Sequence, residues 1–255
     1  MPTEKENKVR IDYSSISGTY DKYRSYPQGL IKRIIQFGEI REGTRVLDLG
    51  CGTGNVSSRL KELVSVEVIS ADKSISMLEA AVAKGLEVIC ADADYVNMPF
   101  EENSFNAVIA AYVIQHINNL ELLFAECHRV LGEGFLVLLT SSHKQIESQH
   151  PVISEFFPGT VEIEKARFTD IPQIYELLRA VGFTDISHEE VHVEGIPIDL
   201  RYLEQVKNKF VSTYHLIPQS EFEEGVKRLE AFIEGKDVTE YREWRGSLVR
   251  GRKAV

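Results

Sequence analysis

Val46-Leu47-Asp48-Leu49-Gly50-Cys51-Gly52-Thr53-Gly54 decides how the chain is read. An apolar run carrying a single carboxylate breaks into three alternating glycines and leads into a helix-period stretch from about Asn55. A strand that turns through glycine into a helix lets the backbone come close to a ligand. Such a turn could cradle a pyrophosphate, but the dinucleotide fingerprint is G-x-G-x-x-G, and here the third glycine stands one place early. Asp48, two residues before the first glycine, would repel a pyrophosphate and favour a guest with an ammonium group. The loop is therefore expected to take a cationic or zwitterionic ligand.

Outward from this loop, residues 44–140 repeat one theme: a short β-branched run, a loop carrying an acid or glycine, then an amphipathic helical stretch. That is the pattern of βαβ units around a parallel sheet buried on both faces. Strands are predicted at Thr44–Leu49, Glu67–Ala71, Leu86–Ala91, Phe105–Ala111 and Gly134–Thr140. The helix after the second strand is expected to start at an N-cap, Ser74, bury Met77, Leu78, Ala81 and Val82, and stop at Gly85. The helix Asn119–Leu131 carries Leu120, Leu123, Phe124, Cys127 and Leu131 at 3/4 spacing.

Acids recur where these strands end. Asp72 follows the second strand, where a carboxylate can accept two hydrogen bonds from a ribose diol. Asp92 follows the third, where it can accept from the exocyclic amine of adenine, with the N–H of Ala93 available to a ring nitrogen. Three carboxylates thus line the carboxyl edge of three consecutive strands, the place where open α/β sheets bind ligands. An adenosine with a zwitterionic tail fits them.

The stretches VLDLGCGTG, ADKSISMLEAA, ADADYVNMPFEENSFNAVIAAYVIQHI and ECHRVLGEGFLVLLT, in this order over about 44–140, resemble the class I S-adenosylmethionine-dependent methyltransferases. Within that family they are most similar to the small-molecule group that includes the quinone-biosynthesis enzymes. The resemblance implies a Rossmann-like three-layer α/β sandwich of about seven strands, mostly parallel with the last antiparallel, plus helical lid additions. It implies S-adenosylmethionine as cofactor and S-adenosylhomocysteine as its product. Asp48, Gly50, Gly52 and Gly54, with Cys51 between them, would hold the methionine end. Asp72, with Lys73 beside it, would hold the ribose, Asp92 and Ala93 the adenine, and Met77 would sit beside the nucleoside. Tyr20-Asp21-Lys22-Tyr23-Arg24 looks like the segment that closes over the cofactor in this group, with Tyr20 on the site and Arg24 meeting the carboxylate. Gly132-Glu133-Gly134 departs from the family's proline-glycine-glycine turn.

Family members place a residue near the transferred methyl where this chain has His116, and histidine can take a proton near neutral pH. Its alternative role is to support the helix at Asn119. Tyr20 is a second catalytic candidate, and Tyr13, Tyr112, Gln115 and His116 are expected to line the acceptor pocket. Cys51 and Cys90 read as fillers of small buried spaces, and His128 as a surface group matched to the helix dipole.

Beyond Thr140 the rhythm changes. Residues 141–168 read as polar and irregular, interrupted by Pro151 and Pro158. A helix follows with Ile174, Leu177, Leu178 and Val181 on its stripe, then a strand at Phe183–Val193 and a last strand at Gly246–Gly251. The stretch between these strands holds two helical patterns. One opens at Asp199 with Leu200, Leu203, Val206 and Phe210; the other opens with a Ser220–Glu223 capping box and buries Phe222, Val226, Leu229 and Ile233. The whole is expected to be a single methyltransferase domain over 1–255. It divides into an N-terminal helical cap, 1–40; a core, 41–193 and 244–255; and a helical insertion, 194–243, that is either a lid over an acceptor pocket or a packing annex. Tyr13, Ile16, Tyr20 and Tyr23, stacked at helical spacing, form either an aromatic wall over the ligand or a docking face.

Composition narrows the function further. The chain has 255 residues, 43% hydrophobic, with 29 Lys+Arg against 39 Asp+Glu, a formal charge of −10 that offers a nucleic acid no basic footprint. No apolar run approaches the roughly 20 residues of a membrane helix, and three cysteines without CxxC spacing suggest neither a disulfide framework nor a metal site. A cytoplasmic enzyme acting on a small-molecule acceptor, monomer or homodimer, is the expectation. The alternatives are an NAD-dependent oxidoreductase and a non-catalytic adenosyl-ligand-binding module.

Overall fold

The computed structural model describes residues 17–23, 26–94, 98–235 and 238–254. Seven strands form one sheet in the order β3-β2-β1-β4-β5-β7-β6. They are β1 Arg45–Leu49, β2 Glu67–Asp72, β3 Glu87–Cys90, β4 Phe105–Ala111, β5 Leu131–Thr140, β6 Thr184–Ile198 and β7 Glu240–Lys253. The first five pair in parallel and β7 runs antiparallel to both β5 and β6. The chain reverses direction in the sheet beside β1, between β2 and β4, and register there is tight: Asp48 lies opposite Ser70 and Ile109, and Asp72 opposite Cys90. The expected sheet is therefore present, with β5, β6 and β7 each longer than their apolar runs suggested.

Apolar residues on both sides of each central strand are what hold helices on both faces of the sheet. Leu47, Leu49, Ile69, Val108, Leu136 and Leu138 pack in one core with α5 (Leu120–Val130) and α9 (Ile171–Ala180). Val46, Val68, Ala107, Ile109 and Val137 pack in the other with α2 (Gln28–Phe37) and α3 (Asn55–Leu63). In α4 (Ile75–Ala83), Met77, Leu78 and Ala81 are buried as expected, but Val82 faces solvent because the helix rests on the sheet edge through a narrower stripe.

Residues 141–168 are not irregular. They fold as three short helices, α6 His143–Glu147, α7 Pro151–Ser154 and α8 Gly159–Arg167. The first is closed by a Ser142–Gln145 capping box and the second by the His150 ring accepting from Val152 N–H, with Pro151 at the first helical position. The insertion begins at 199 rather than 194, since β6 and β7 pair on as a two-stranded ribbon as far as Ile198 and Glu240. It holds α10 (Leu200–Lys207) and α11 (Gln219–Glu234). Asp199 caps α10 as expected, but Leu200 is exposed and Tyr202 takes its place on the buried face. The expected Ser220–Glu223 box is not formed, because Pro218 takes the N-cap and Ser220 falls inside the helix.

These pieces share a third core that is separate from the sheet. Val152 and Phe157, from the 141–168 helices, pack with Ile198, Tyr202, Leu203, Val206, Tyr214, Phe222 and Leu229. The cap over the carboxyl edge is thus built from two stretches of chain, of which the sequence pattern disclosed one.

Candidate active site

The carboxyl ends of β1, β2 and β3 open into a cleft enclosing about 910 Å³ up to its mouth. Asp48, Gly50, Cys51, Gly52, Asp72, Lys73, Met77, Asp92, Ala93, Tyr20 and His116 all line it. Parallel strands in register explain the convergence, since residues at equivalent strand ends must lie side by side. Tyr26, Asn55, Val113 and Ile117 complete the wall and escaped the sequence reading. Arg24 and Tyr13 lie outside the described residues.

The three glycines of the loop have different tasks. Gly52 has a φ of +55° and open space where a Cβ would stand, so it is the position where the backbone presents itself to a ligand. Its N–H donates to Asp72 Oδ2 (2.8 Å), while Ser74 N–H donates to Oδ1 (2.9 Å), which fixes the carboxylate and leaves lone pairs on both oxygens. Gly54 does not line the cleft. A Cβ there would run into Leu86 and press on Ala81 of α4, so its smallness serves the packing of the loop against that helix and the segment after it.

Asp48 is almost fully enclosed and accepts from both the N–H (3.1 Å) and the hydroxyl (2.6 Å) of Ser57. Burial pushes its carboxyl up to about 6, against the pull of those two hydrogen bonds. A cationic group entering the cleft would supply the countercharge that this enclosed carboxylate needs. The Cys51 thiol is pushed far above its ordinary range by burial and by the charge of Asp48, which suits a filler of space rather than a nucleophile. Lys73 Nζ stands 4.0 Å from Asp92 Oδ1 at the far end of the cleft.

Helix α1 (Ser17–Tyr23) lies across the loop. Asp21 accepts from the Thr53 hydroxyl and pairs with Lys84 Nζ at 2.6 Å, and Lys84 also donates to Thr53 O (2.8 Å). From the same helix, Lys22 and Tyr23 reach Glu204 of α10 at 2.7 and 3.0 Å. Tyr20 is thereby held on the cleft.

A second cavity, of about 2040 Å³, lies between the sheet edge and the cap. Tyr26 and Tyr112 line both spaces, so the two adjoin. Tyr112 adopts a φ of +55°, rare for a residue with a side chain, and its ring stands edge-on to Phe168 and Trp244, each at 6.2 Å. Gln115 lines the second cavity, as expected, and donates from Nε2 to Tyr112 O (2.8 Å). That carbonyl can only accept, which fixes the amide and turns Oε1 away, with no hydrogen-bond partner among the described residues. His116, on a 3₁₀ turn at Ile114–His116, lines the first cavity instead, and Asn119 caps α5 with its own side chain. His128 stands in the last turn of α5 as expected but is half-buried: it packs edge-on against Phe183 at 5.0 Å, and burial first, then Lys253, lowers its pKa. Arg167, which no pattern singled out, stands beside His116 from α8.

Comparison with known proteins agrees with this geometry. Residues 47–139 match the Methyltransf_11 family model, a methyltransferase domain. Phosphoethanolamine N-methyltransferase 1 of Arabidopsis thaliana is 25% identical over 80% of this chain, which spans only 44% of that relative's length. Demethylmenaquinone methyltransferase of Staphylococcus aureus is 28% identical over 75% of this chain and 85% of the relative. An Anabaena variabilis protein, described as a methyltransferase from an antibiotic biosynthesis pathway, superposes with a TM-score of 0.72 at 22% identity, covering 91% of this chain and 99% of its own. A phosphoethanolamine N-methyltransferase 2 from Haemonchus contortus, solved with phosphomonomethylethanolamine and S-adenosylhomocysteine, gives 0.61 at 19% identity, covering 95% of this chain and 58% of its own. The resemblance of the central stretch to a methyltransferase domain and the mostly parallel seven-stranded fold are borne out. Among the described residues no helix is long and apolar enough to cross a membrane.

Proposed function

We propose that this chain, which carries a methyltransferase domain over residues 47–139, transfers a methyl group from S-adenosylmethionine to a small molecule enclosed beneath the helical cap. The observation that carries the reading is the adjacency of two spaces. One has three carboxylates at neighbouring strand ends; the other is large and walled by the cap, and Tyr26 and Tyr112 line both.

The residues of the cleft fit the cofactor. Gly52 offers open space at a left-handed turn, Asp48 is an enclosed carboxylate suited to an ammonium, and Asp72 is oriented by two backbone N–H groups toward a diol. Met77, Ala91 and Ile117 give apolar surface for a flat ring, with Asp92 and Ala93 at its polar edge. When bound, S-adenosylmethionine supplies an electrophilic methyl on a sulfonium. The protein's share is alignment and exclusion of water, and orientation alone can be worth up to about 7 to 11 kcal/mol. Tyr20 and α1 close the cofactor side, and the cap closes the acceptor side.

The relatives' names support a small, polar or quinol-like acceptor, and a cavity mixing Tyr, Trp and Phe rings with Gln, His, Glu and Arg side chains admits either class. The NAD-dependent alternative gains no support from the matches. Formation of S-adenosylhomocysteine would be followed with a panel of phenols, quinols, amines and phosphorylated amino alcohols. Turnover with one class, abolished in Asp72→Ala, is the expected outcome. Tight cofactor binding with no turnover of any acceptor would favour a non-catalytic binding module.

A further inference from the structure

We propose that Arg167 engages the Nδ1 lone pair of His116 and fixes its neutral imidazole with the hydrogen on Nε2, so that the histidine does not act as the base in the transfer. The exclusion of a base role rests on the methyltransferase reading above; the tautomer does not.

Arg167 ends α8 and is almost fully buried, at 5% exposure. Its Nη2 lies 3.3 Å from His116 Nδ1. A guanidinium has only N–H groups to offer and stays protonated at any pH the protein survives, so the lone pair in this contact must come from Nδ1. In a neutral imidazole the hydrogen then resides on Nε2.

The guanidinium is itself held in one sense. Its Nη1 donates to Thr213 Oγ1 (3.3 Å) and Ser212 Oγ (3.5 Å). Thr213 in turn donates its single hydroxyl proton to Glu164 Oε1 (3.0 Å), and Glu164 Oε2 accepts from Gln149 Nε2 (2.9 Å). The donors are thus assigned without conflict: Arg167 donates on one side to Thr213, which donates on to the Glu164 carboxylate, and on the other side to the histidine. A proton added at Nδ1 would set N–H against N–H and a cation against a cation.

The consequence is chemical. The ring lines the cofactor cleft while its one basic lone pair, on Nδ1, is engaged by Arg167, so it has no lone pair with which to take a proton from the nucleophile. In the transfer, the bond from sulfur to the methyl breaks with its electrons remaining on sulfur, and the nucleophile's lone pair makes the new bond. Any proton on the nucleophile leaves the site with the methylated product and is lost to bulk solvent after release. Arg167 is thus a positioning residue contributed by the cap.

The test uses the full chain labelled with ¹⁵N in its imidazoles, at pH 7.5, with the His116 signals assigned by His116→Gln. Long-range ¹H–¹⁵N correlation is expected to show a protonated Nε2 and an unprotonated Nδ1. Arg167→Lys, which keeps a donor, should preserve that pattern, and Arg167→Met should give a mixture of tautomers. A wild-type spectrum with the hydrogen on Nδ1, or with both nitrogens protonated, overturns the proposal, as does an unchanged pattern in a folded Arg167→Met. Should that variant fail to fold, the wild-type spectrum decides alone. Titrating S-adenosylhomocysteine into the same sample separates the two readings. The wrong tautomer in a protein that binds it defeats the proposal for His116 alone, whereas no binding defeats the methyltransferase reading on which the exclusion of a base role rests.

Discussion

At the scale of single residues, Asp48 sets stability against function. Its carboxyl is raised from the ordinary 3.8 to about 6 by burial. An acid raised on folding favours the folded state while it is protonated, so this contribution is complete below about pH 4 and is lost as the pH climbs through 6. At about 1.4 kcal/mol per pH unit it amounts to about 3 kcal/mol. Asp48→Asn is therefore expected to raise the melting temperature of the cofactor-free protein at pH 7.5, with a gain that shrinks as the pH falls toward 4. A gain independent of pH would show that the carboxylate is not under this strain. The glycines divide by the same logic. Gly54→Ala puts a Cβ into Leu86 at a φ of +76° and should cost several kcal/mol in denaturant titration, whereas Gly52→Ala meets no atom and should cost about 1 to 3 kcal/mol, chiefly from its φ of +55°. Cofactor affinity should reverse the order among folded variants. Asp48, Asp72 and Asp92 were legible because strand periodicity fixes where each strand ends, and the end fixes the site. The separate tasks of Gly52 and Gly54 were not, since the letter G does not say whether a ligand or Leu86 fills the space beside it. Arg167 was invisible for a related reason: it lies 51 residues from His116 in the chain, and only the path of three short helices brings the two together.

At the scale of elements, α1 is the piece that ties the two ligand spaces to each other. It holds the glycine loop through Asp21 and α10 through Lys22 and Tyr23. Its ion pairs are exposed, and such pairs contribute only about 0 to 1 kcal/mol to stability. Asp21→Ala should therefore leave the unfolding midpoint nearly unchanged while cofactor dissociation, followed by stopped flow, becomes severalfold faster. A large drop in midpoint with unchanged dissociation would make α1 a packing element rather than a closure. The helix was legible from the spacing of Tyr13, Ile16, Tyr20 and Tyr23 and from the resemblance of Tyr20–Arg24 to a segment that closes over a cofactor. The helices of 141–168 were not legible in this way. α6 and α7 span too few turns for a 3.6-residue period to emerge, and their caps, Ser142 and His150, carry the information instead, while α8 buries Thr160 and Arg167 rather than an apolar stripe. The outer halves of β6 and β7 were missed because the ribbon projects beyond the sheet, and neither face alternates cleanly between apolar and polar.

At the scale of the molecule, the sheet and the cap have separate cores, and this decides how the protein should come apart. Phe157 and Tyr214 sit at the centre of the cap's core with their rings 4.8 Å apart, fully or almost fully enclosed. Phe157→Ala is expected to cost about 3 to 5 kcal/mol. Hydrogen exchange should accelerate over 199–235 while β1, β2 and β4 keep their protection. Equal loss of protection in the sheet would mean that the two cores unfold as one. The architecture of the sheet was readable because near-continuous apolar runs alternate with amphipathic helices, leaving few topologies open. The cap was half readable, since its second stretch of chain is distant in sequence and joins only through packing. The central claim concerns the cofactor, and calorimetric titration of the purified protein with S-adenosylmethionine, S-adenosylhomocysteine and NAD⁺ tests it most directly, repeated on Asp72→Ala. Binding of both sulfur nucleosides, lost in the variant and absent with NAD⁺, is the predicted result; binding of NAD⁺ alone would contradict it.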